Sequence, residues 1–486
     1  MVGAAIWERE IPFVDLNDEA TRRRFEEFLV KAMRDAYGKY LGGALNVNYL
    51  GMPGLMFYID DEAGPLLEIL VAYSASSVRY RVQLLRPFAG PPAVERAIGL
   101  LEGVLRLFAE TGGMGVAYFV FVPGRQLVPP RTESGAKRAL QSLLLNNLVF
   151  LFAISILVSY LAYVTLREYA PFALLLSQVP LMLVSHKLVP WMMGDWRIDR
   201  LHRYVYLVGL RMPLDKYQEV VSKVLMPRRY EIKQKIYMHS LGRGEEPDSD
   251  LIKSVLSEYD IQPNDYELET RKIDLYGIVE RIARCFGTKK MPPVYLSNVV
   301  VPNAAASGVG WGLSSILVTT GLLSRLDDDE IEAVLGHEFS HIARHDVVSF
   351  FLLSSAEYLS RVFIAMMYWP LFATLLGFLY LWFSLTVLFV LAKFVEARAD
   401  LDSAVRLGKP GKLASALRKI GFRHIYLESR SGGRLLAWLR WDPHPPLTFR
   451  YEKLIELSTR GTPISPWREA IASCLRDLAR SLSAAL

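Results

Sequence analysis

The sequence predicts a multi-pass α-helical membrane protein with a mostly α-helical soluble domain that includes a small edge sheet, preceded by an N-terminal α+β domain. Three observations predict it. The 486 residues are 52% hydrophobic and 22% charged, too apolar for a disordered chain. The apolar excess is concentrated in two stretches, residues 143–193 and 347–394. The rest of the chain alternates helical and strand periods with ordinary charge.

Composition also excludes several classes of protein. Two cysteines, Cys285 and Cys474, cannot build a disulfide framework or a Cys-rich metal centre. The net charge of +6, from 56 basic and 50 acidic residues, comes without a Lys/Arg run or aromatic-basic interleaving, so no nucleic acid is expected. No G-x-x-x-x-G-K-[ST] loop is present, so no nucleotide is expected either. The opening MVGAAIWEREIPFVDL has no apolar h-region and predicts no cleaved signal peptide.

Residues 1–135 read as the N-terminal α+β domain. A helix over Asp18–Tyr37 is followed by strand-like runs at Leu55–Ile59, Leu66–Tyr73 and Val78–Leu85, a second helix over Ala93–Thr111, and the strand Val116–Val122. Residues 136–195 read as a first transmembrane hairpin bending at Arg167-Glu168, and 347–394 as a second bending at Trp369-Pro370. A crossing takes about 20 helical residues, and near charge-free runs of that length argue against hairpins buried in a soluble core. Glu357 and Arg361, four apart in the third segment, should pair on one helical face and look toward protein or a cavity. Bases flank the outer ends of both hairpins (Arg131, Lys137, Arg197, Arg200, Arg344, Lys393) and hardly occur at the bends. The soluble parts are therefore expected in the cytoplasm of a cell-membrane protein. Residues 196–346, mostly helical at first and strand-rich over Pro292–Leu323, and residues 395–486, helical with a Pro-rich break at Trp441–Leu447, form the two parts of the main soluble domain.

Chemistry enters with the helix beginning at Asp327, which contains His337-Glu338-Phe339-Ser340-His341. Residues four apart share a helical face, so both imidazoles can grip one metal ion, with Glu338 beside them as the general base for an activated water. Imidazole suits Zn²⁺, which takes about four ligands. With eight histidines, a chance H-E-x-x-H in this chain has odds on the order of one in a hundred. His345 lies two turns from His337, about 12 Å along the axis, too far to share the ion. Glu396, just past the second hairpin, is the better third ligand. Asp400 one turn later could accept an imidazole N–H. On spacing alone, a solvated E-A-R-A-D face fits these residues equally well.

HEFSH, then Asp346, an apolar hairpin and E-x-x-A-D-x-x-S-A together resemble the HtpX-like family of membrane zinc metalloendopeptidases, with the CAAX prenyl endopeptidases as more distant kin. Pro302–Gly308 (PNAAASG) resembles the family's segment before an active-site strand. Val318–Glu338 resembles its lead into the zinc helix, and His444–Leu454 its H-P-P-x-x-x-R motif. The resemblance implies a mostly α zincin-type metalloprotease domain with one Zn²⁺ per chain on His337, His341 and Glu396, and Glu338 as base. It implies that Asn303, His444 and Arg450 line the cleft, contacting substrate backbone or the developing oxyanion. Substrate would add as a strand along Asn303, Ala304 and Ala305. The family's phenylalanine is Ala305 here, and the N-terminal domain lies outside the family's usual plan; it is expected to recruit or gate substrates. The function implied is hydrolysis of misfolded or damaged membrane and cytoplasmic polypeptides. The alternatives are a specific prenyl-protein type processing protease, which four membrane segments disfavour, and a catalytically silent membrane scaffold.

Overall fold

The computed structural model describes residues 6–128 and 157–485, except 14–15, 62–63, 76, 87–90, 159, 289, 311, 369, 371–373, 429–432 and 462–464. Residues 136–156 of the expected first hairpin and the linker leading to it from residue 129 lie outside the described residues.

The N-terminal unit is an antiparallel sheet of β1 (Ile6–Pro12), β2 (Leu41–Tyr49), β3 (Met52–Asp61), β4 (Gly64–Tyr73) and β5 (Ser77–Leu84), in the order β1-β5-β4-β3-β2. In β5 the alternation of SVRYRVQL turns Val78, Tyr80, Val82 and Leu84 inward. Two helices cover that face. Glu19–Tyr37 is capped by the Asp18 side chain, and Pro91–Thr111 supplies Leu101, Leu105 and Phe108 to the core. Phe13 stacks on Phe108 at 6.2 Å and meets Phe422 edge-on at 6.1 Å, which docks this unit on the helix Pro410–Glu428.

β6 (Met114–Phe121), expected to complete the N-terminal unit, does not join its sheet. Gly112 and Gly113, with φ of 63° and 77°, turn the chain after the second helix. The strand then pairs with β8 (Tyr204–Pro213), which pairs with β9 (Glu267–Asp274). This also corrects the expected helical start of the segment after Trp196, which opens instead with β7 (Trp196–Ile198) and β8. Both β6 and β8 are covered on both faces. Val205 and Leu207 point into the main core, while Tyr206, Val208, Leu210 and Met212 point into a second core closed by the helix Met226–His239. A strand buried on both faces reads as an unbroken apolar run, which hides its period of two.

Within the second core Lys233 is buried, its ammonium 5.0 Å from the Trp196 ring and 5.7 Å from Phe121. Burial pushes its pKa down to about 8. The charged form is thus penalised in the fold, fully below pH 8, and the penalty lifts as pH rises toward the unfolded value of 10.5. Lys233→Met is expected to stabilise the protein at pH 7 by about 3 kcal/mol. Denaturant melts at pH 7 and pH 9.5 check this, since the gain should shrink at the higher pH.

The main domain is built on a four-stranded mixed sheet, β11-β12-β10-β7, from β10 (Val294–Ser297), β11 (Ala304–Gly308), β12 (Ser314–Thr319) and β7. β11 is its open edge. The helix Asp328–Arg344 lies against β11, and the helix Ala170–Met193 packs on β11 and β12. Among the described residues three helices are long and apolar enough to cross a membrane: Tyr160–Met193, Asp346–Ile364 and Leu375–Leu407. The first is interrupted by a 3₁₀ turn at Arg167–Tyr169, where a bend was expected. The other two are tied at mid-length. Glu357 pairs with Arg361 at 3.2 Å and accepts from the Ser384 hydroxyl at 2.7 Å, so these charges face protein. The last helix runs unbroken past Phe394 to Leu407, and after it every element among the described residues is a helix.

Candidate metal centre and active site

The H-E-x-x-H motif sits on Asp328–Arg344, a helix started by a capping box between Asp327 and Glu330. Glu330 is buried and also accepts from Ser415 at 2.6 Å and Lys419 at 2.8 Å, tying the helix to Pro410–Glu428. Gly336, just before His337, lies tight against the helix Leu375–Leu407. A Cβ there would lie 2.4 Å from Leu407 Cδ1 and 2.8 Å from Ser403 Oγ. Its absence lets Asp328–Arg344 press onto Leu375–Leu407, which brings Glu396 beside the two imidazoles.

Donor groups of three residues then form a triangle, with the Glu396 carboxylate turning one oxygen to each imidazole. His337 Nε2 and His341 Nε2 are 3.1 Å apart, and Glu396 places Oε2 3.4 Å from the first and Oε1 3.4 Å from the second. Ligands bound tetrahedrally at about 2.0–2.1 Å are separated by about 3.4 Å, so the triangle fits one such ion. The donor chemistry agrees. An aspartate faces the outer nitrogen of each ring: Asp400 Oδ1 lies 2.9 Å from His337 Nδ1, and Asp346 Oδ2 lies 2.7 Å from His341 Nδ1. The hydrogen bond to Asp346 places the His341 proton on Nδ1, Asp400 lies at ion-pair distance from His337 Nδ1, and the two Nε2 atoms face each other, an arrangement that a cation between them relieves. Burial disfavours a charged His337 ring, yet Asp400 and Glu396 outweigh it and raise its pKa, so the pocket calls for positive charge.

Glu338 points to the edge strand, its Oε2 accepting the Ala306 backbone N–H at 2.7 Å. Asn303 leads into that strand, held by its backbone to Thr319. Ala304 and Ala305 pair with Val318 and Leu317 of β12. His444 Nε2 stands 3.7 Å from Glu396 Oε2, half-exposed, with Nδ1 2.9 Å from Asp442 Oδ1. Arg450 was expected to line the cleft, and its charge acts on Glu396 and Glu338 there. It is buried, and its Nε and Nη2 both donate to Asp400 at 2.7 Å. It acts first as a clamp on the aspartate behind His337. His345 takes the left-handed backbone that ends the helix, with φ of 56°, and stands apart from the ligand cluster.

Sequence reasoning gave no role to Asp346, Asp442 or Ala306. Asp346 also bonds the fully buried Arg398, which reaches Asp402 at 2.8 Å and Ser340 at 2.6 Å. Lys393 and Arg398, on the helix leaving the second hairpin, are both completely buried. An acid at the helix start five residues after His341 was the available signal for Asp346. For Ala306 there was none, because its part is played by the backbone.

Two imidazoles, a glutamate returning on a membrane-length helix and a second glutamate against an open strand edge define a metallopeptidase of the H-E-x-x-H type. Residues 269–458 match the model for Peptidase family M48. The chain is similar to the Protease HtpX homolog of Moorella thermoacetica, 34% identical over 166 residues, covering 30% of this chain and 54% of that protein. It is similar to Protease HtpX homolog 1 of Streptomyces coelicolor, 31% identical over 222 residues, 38% of this chain and 71% of that one. With the Protease HtpX homolog of Aquifex aeolicus it shares 28% identity over 242 residues, 43% and 78% of the two chains. The chain belongs to the HtpX-like metalloproteases of peptidase family M48.

Proposed function

We propose that the chain is a zinc-dependent endopeptidase that hydrolyses misfolded or damaged membrane and cytoplasmic polypeptides at the cytoplasmic face of the cell membrane. The observation that carries it is the triangle of His337, His341 and Glu396 with Glu338 against the open edge of β11. Zn²⁺ held there would polarise a scissile carbonyl and lower the pKa of a water to about 7. Glu338 would take the proton from that water and pass it to the leaving amine. His444 would donate to the developing oxyanion from the cleft mouth.

Substrate would pair as an added strand on β11, where backbone hydrogen bonds supply affinity and tolerate many sequences. That suits a quality-control protease better than one recognising a single processing site. The cytoplasmic orientation draws on Arg197, Arg200 and Arg344 at the outer ends of the membrane helices. A reporter fused at Arg167 should therefore read as outside the cytoplasm, and a cytoplasmic signal would overturn the orientation.

The test is cleavage of an unfolded protein by the detergent-purified chain, with and without a chelator, with bound metal quantified. Chelator-sensitive cleavage with one zinc per chain supports the reading. A chain that binds no zinc overturns the ligand set and favours the scaffold.

A further inference from the structure

His444 lies on the loop between the helices Gly433–Leu439 and Leu447–Arg460, whose sequence WDPHPPL fixes φ at Pro443, Pro445 and Pro446 but leaves the loop's placement to contacts from elsewhere. Two of those contacts, at its start, come from the helix Leu375–Leu407, and at its end Glu428 accepts from the Leu447 and Thr448 N–H groups, each at 2.8 Å. Lys393 is fully buried, and its Nζ donates to the carbonyl oxygens of Arg440 and Asp442, each at 2.7 Å. Two turns earlier on the same helix, Thr386 Oγ1 accepts from the Trp441 indole Nε1 at 3.1 Å. Asp442 then accepts the His444 backbone N–H at 2.9 Å and faces Nδ1 at the same distance, leaving Nε2 toward Glu396.

A buried ammonium is costly unless its donors are engaged, and an apolar side chain would pack at that position without the cost. The two carbonyls it engages belong to the loop that carries the imidazole. We propose that Lys393 is a positioning residue for His444: it fixes the backbone of Arg440 and Asp442 so that the Asp442 carboxylate holds the ring with Nε2 toward the metal-binding triangle. Because Glu396 lies one turn further along the same helix, the third ligand and His444 are carried as one body. The kinetic consequence rests on the endopeptidase reading above, while the structural consequence does not.

The experiment uses the full chain in detergent as wild type, Lys393→Met, Lys393→Arg, His444→Ala and the Lys393→Met/His444→Ala double variant. Backbone hydrogen exchange over residues 440–446, zinc content, kcat and KM are measured. In Lys393→Met, exchange over 440–446 should rise about tenfold or more while the helix Asp328–Arg344 stays protected and zinc is retained. The kcat should fall as far as in His444→Ala, about 10²-fold, with KM within about twofold, and the double variant should be no worse than His444→Ala. Lys393→Arg should recover most of the activity, since a guanidinium can also donate to two carbonyls. Unchanged exchange in the loop, losses that multiply in the double variant, or loss of zinc in Lys393→Met would each overturn the proposal. If the wild-type chain cleaves nothing, the endopeptidase reading fails, and the exchange data alone still decide whether Lys393 holds the loop.

Discussion

Glu338→Gln is expected to abolish peptide hydrolysis, lowering kcat by about 10²–10⁴-fold, while the protein keeps its metal. The side chain is not among the three ligand atoms of the triangle, so the amide leaves the metal-binding groups untouched. Its hydrogen bond to the edge strand is preserved as well: the Gln carbonyl oxygen can accept the Ala306 N–H as Oε2 does now. What the substitution removes is the capacity to take a proton and return it. Paired measurements of peptide cleavage and zinc stoichiometry check this. A variant with full zinc and a rate within tenfold of the wild type would remove Glu338 from the role of base.

Arg450→Met is expected to cost about 3–5 kcal/mol of stability, because it leaves a buried carboxylate without its counter-charge. Both Asp400 oxygens now accept from the guanidinium, and Asp400 in turn faces His337 Nδ1. An unclamped Asp400 no longer sets the orientation of that ring, so metal affinity should fall about 10–100-fold. Adding Asp400→Asn should restore part of the stability by removing the stranded charge, but not the metal affinity. Denaturant midpoints and competition titrations with a zinc chelator separate the two effects. Stability within about 1 kcal/mol of the wild type would show that the clamp is not what holds Asp400.

Much of the site was legible without coordinates. His337 and His341 share a face because a helix has a fixed repeat, and Asp327 with Glu330 announces the start of that helix. Glu396 was legible only as one of two readings of E-A-R-A-D. What separates them is Gly336, whose missing side chain lets the two helices touch, and that matters only once both helices are packed. The role expected of Arg450 shows the opposite limit. A cationic side chain near a cleft suits an oxyanion, and the sequence does not show that the same guanidinium also clamps the buried aspartate behind a ligand.

The fold divides in the same way. Strands with one solvated face, such as β5, carry their period in the sequence. β6 and β8 do so poorly, since over most of their length both faces are buried and the residues are apolar or aromatic. The N-terminal unit was expected to end with β6, yet that strand pairs across more than eighty residues of chain with β8. Hydropathy and periodicity report how one segment meets water or lipid, so they suffice for membrane-length helices, amphipathic helices and the paired histidines of one helix. Pairing partners, the aspartates behind each imidazole and the hold of Lys393 on the His444 loop join residues distant in sequence. Those depend on which surfaces bury each other, and only packing of the whole chain settles that.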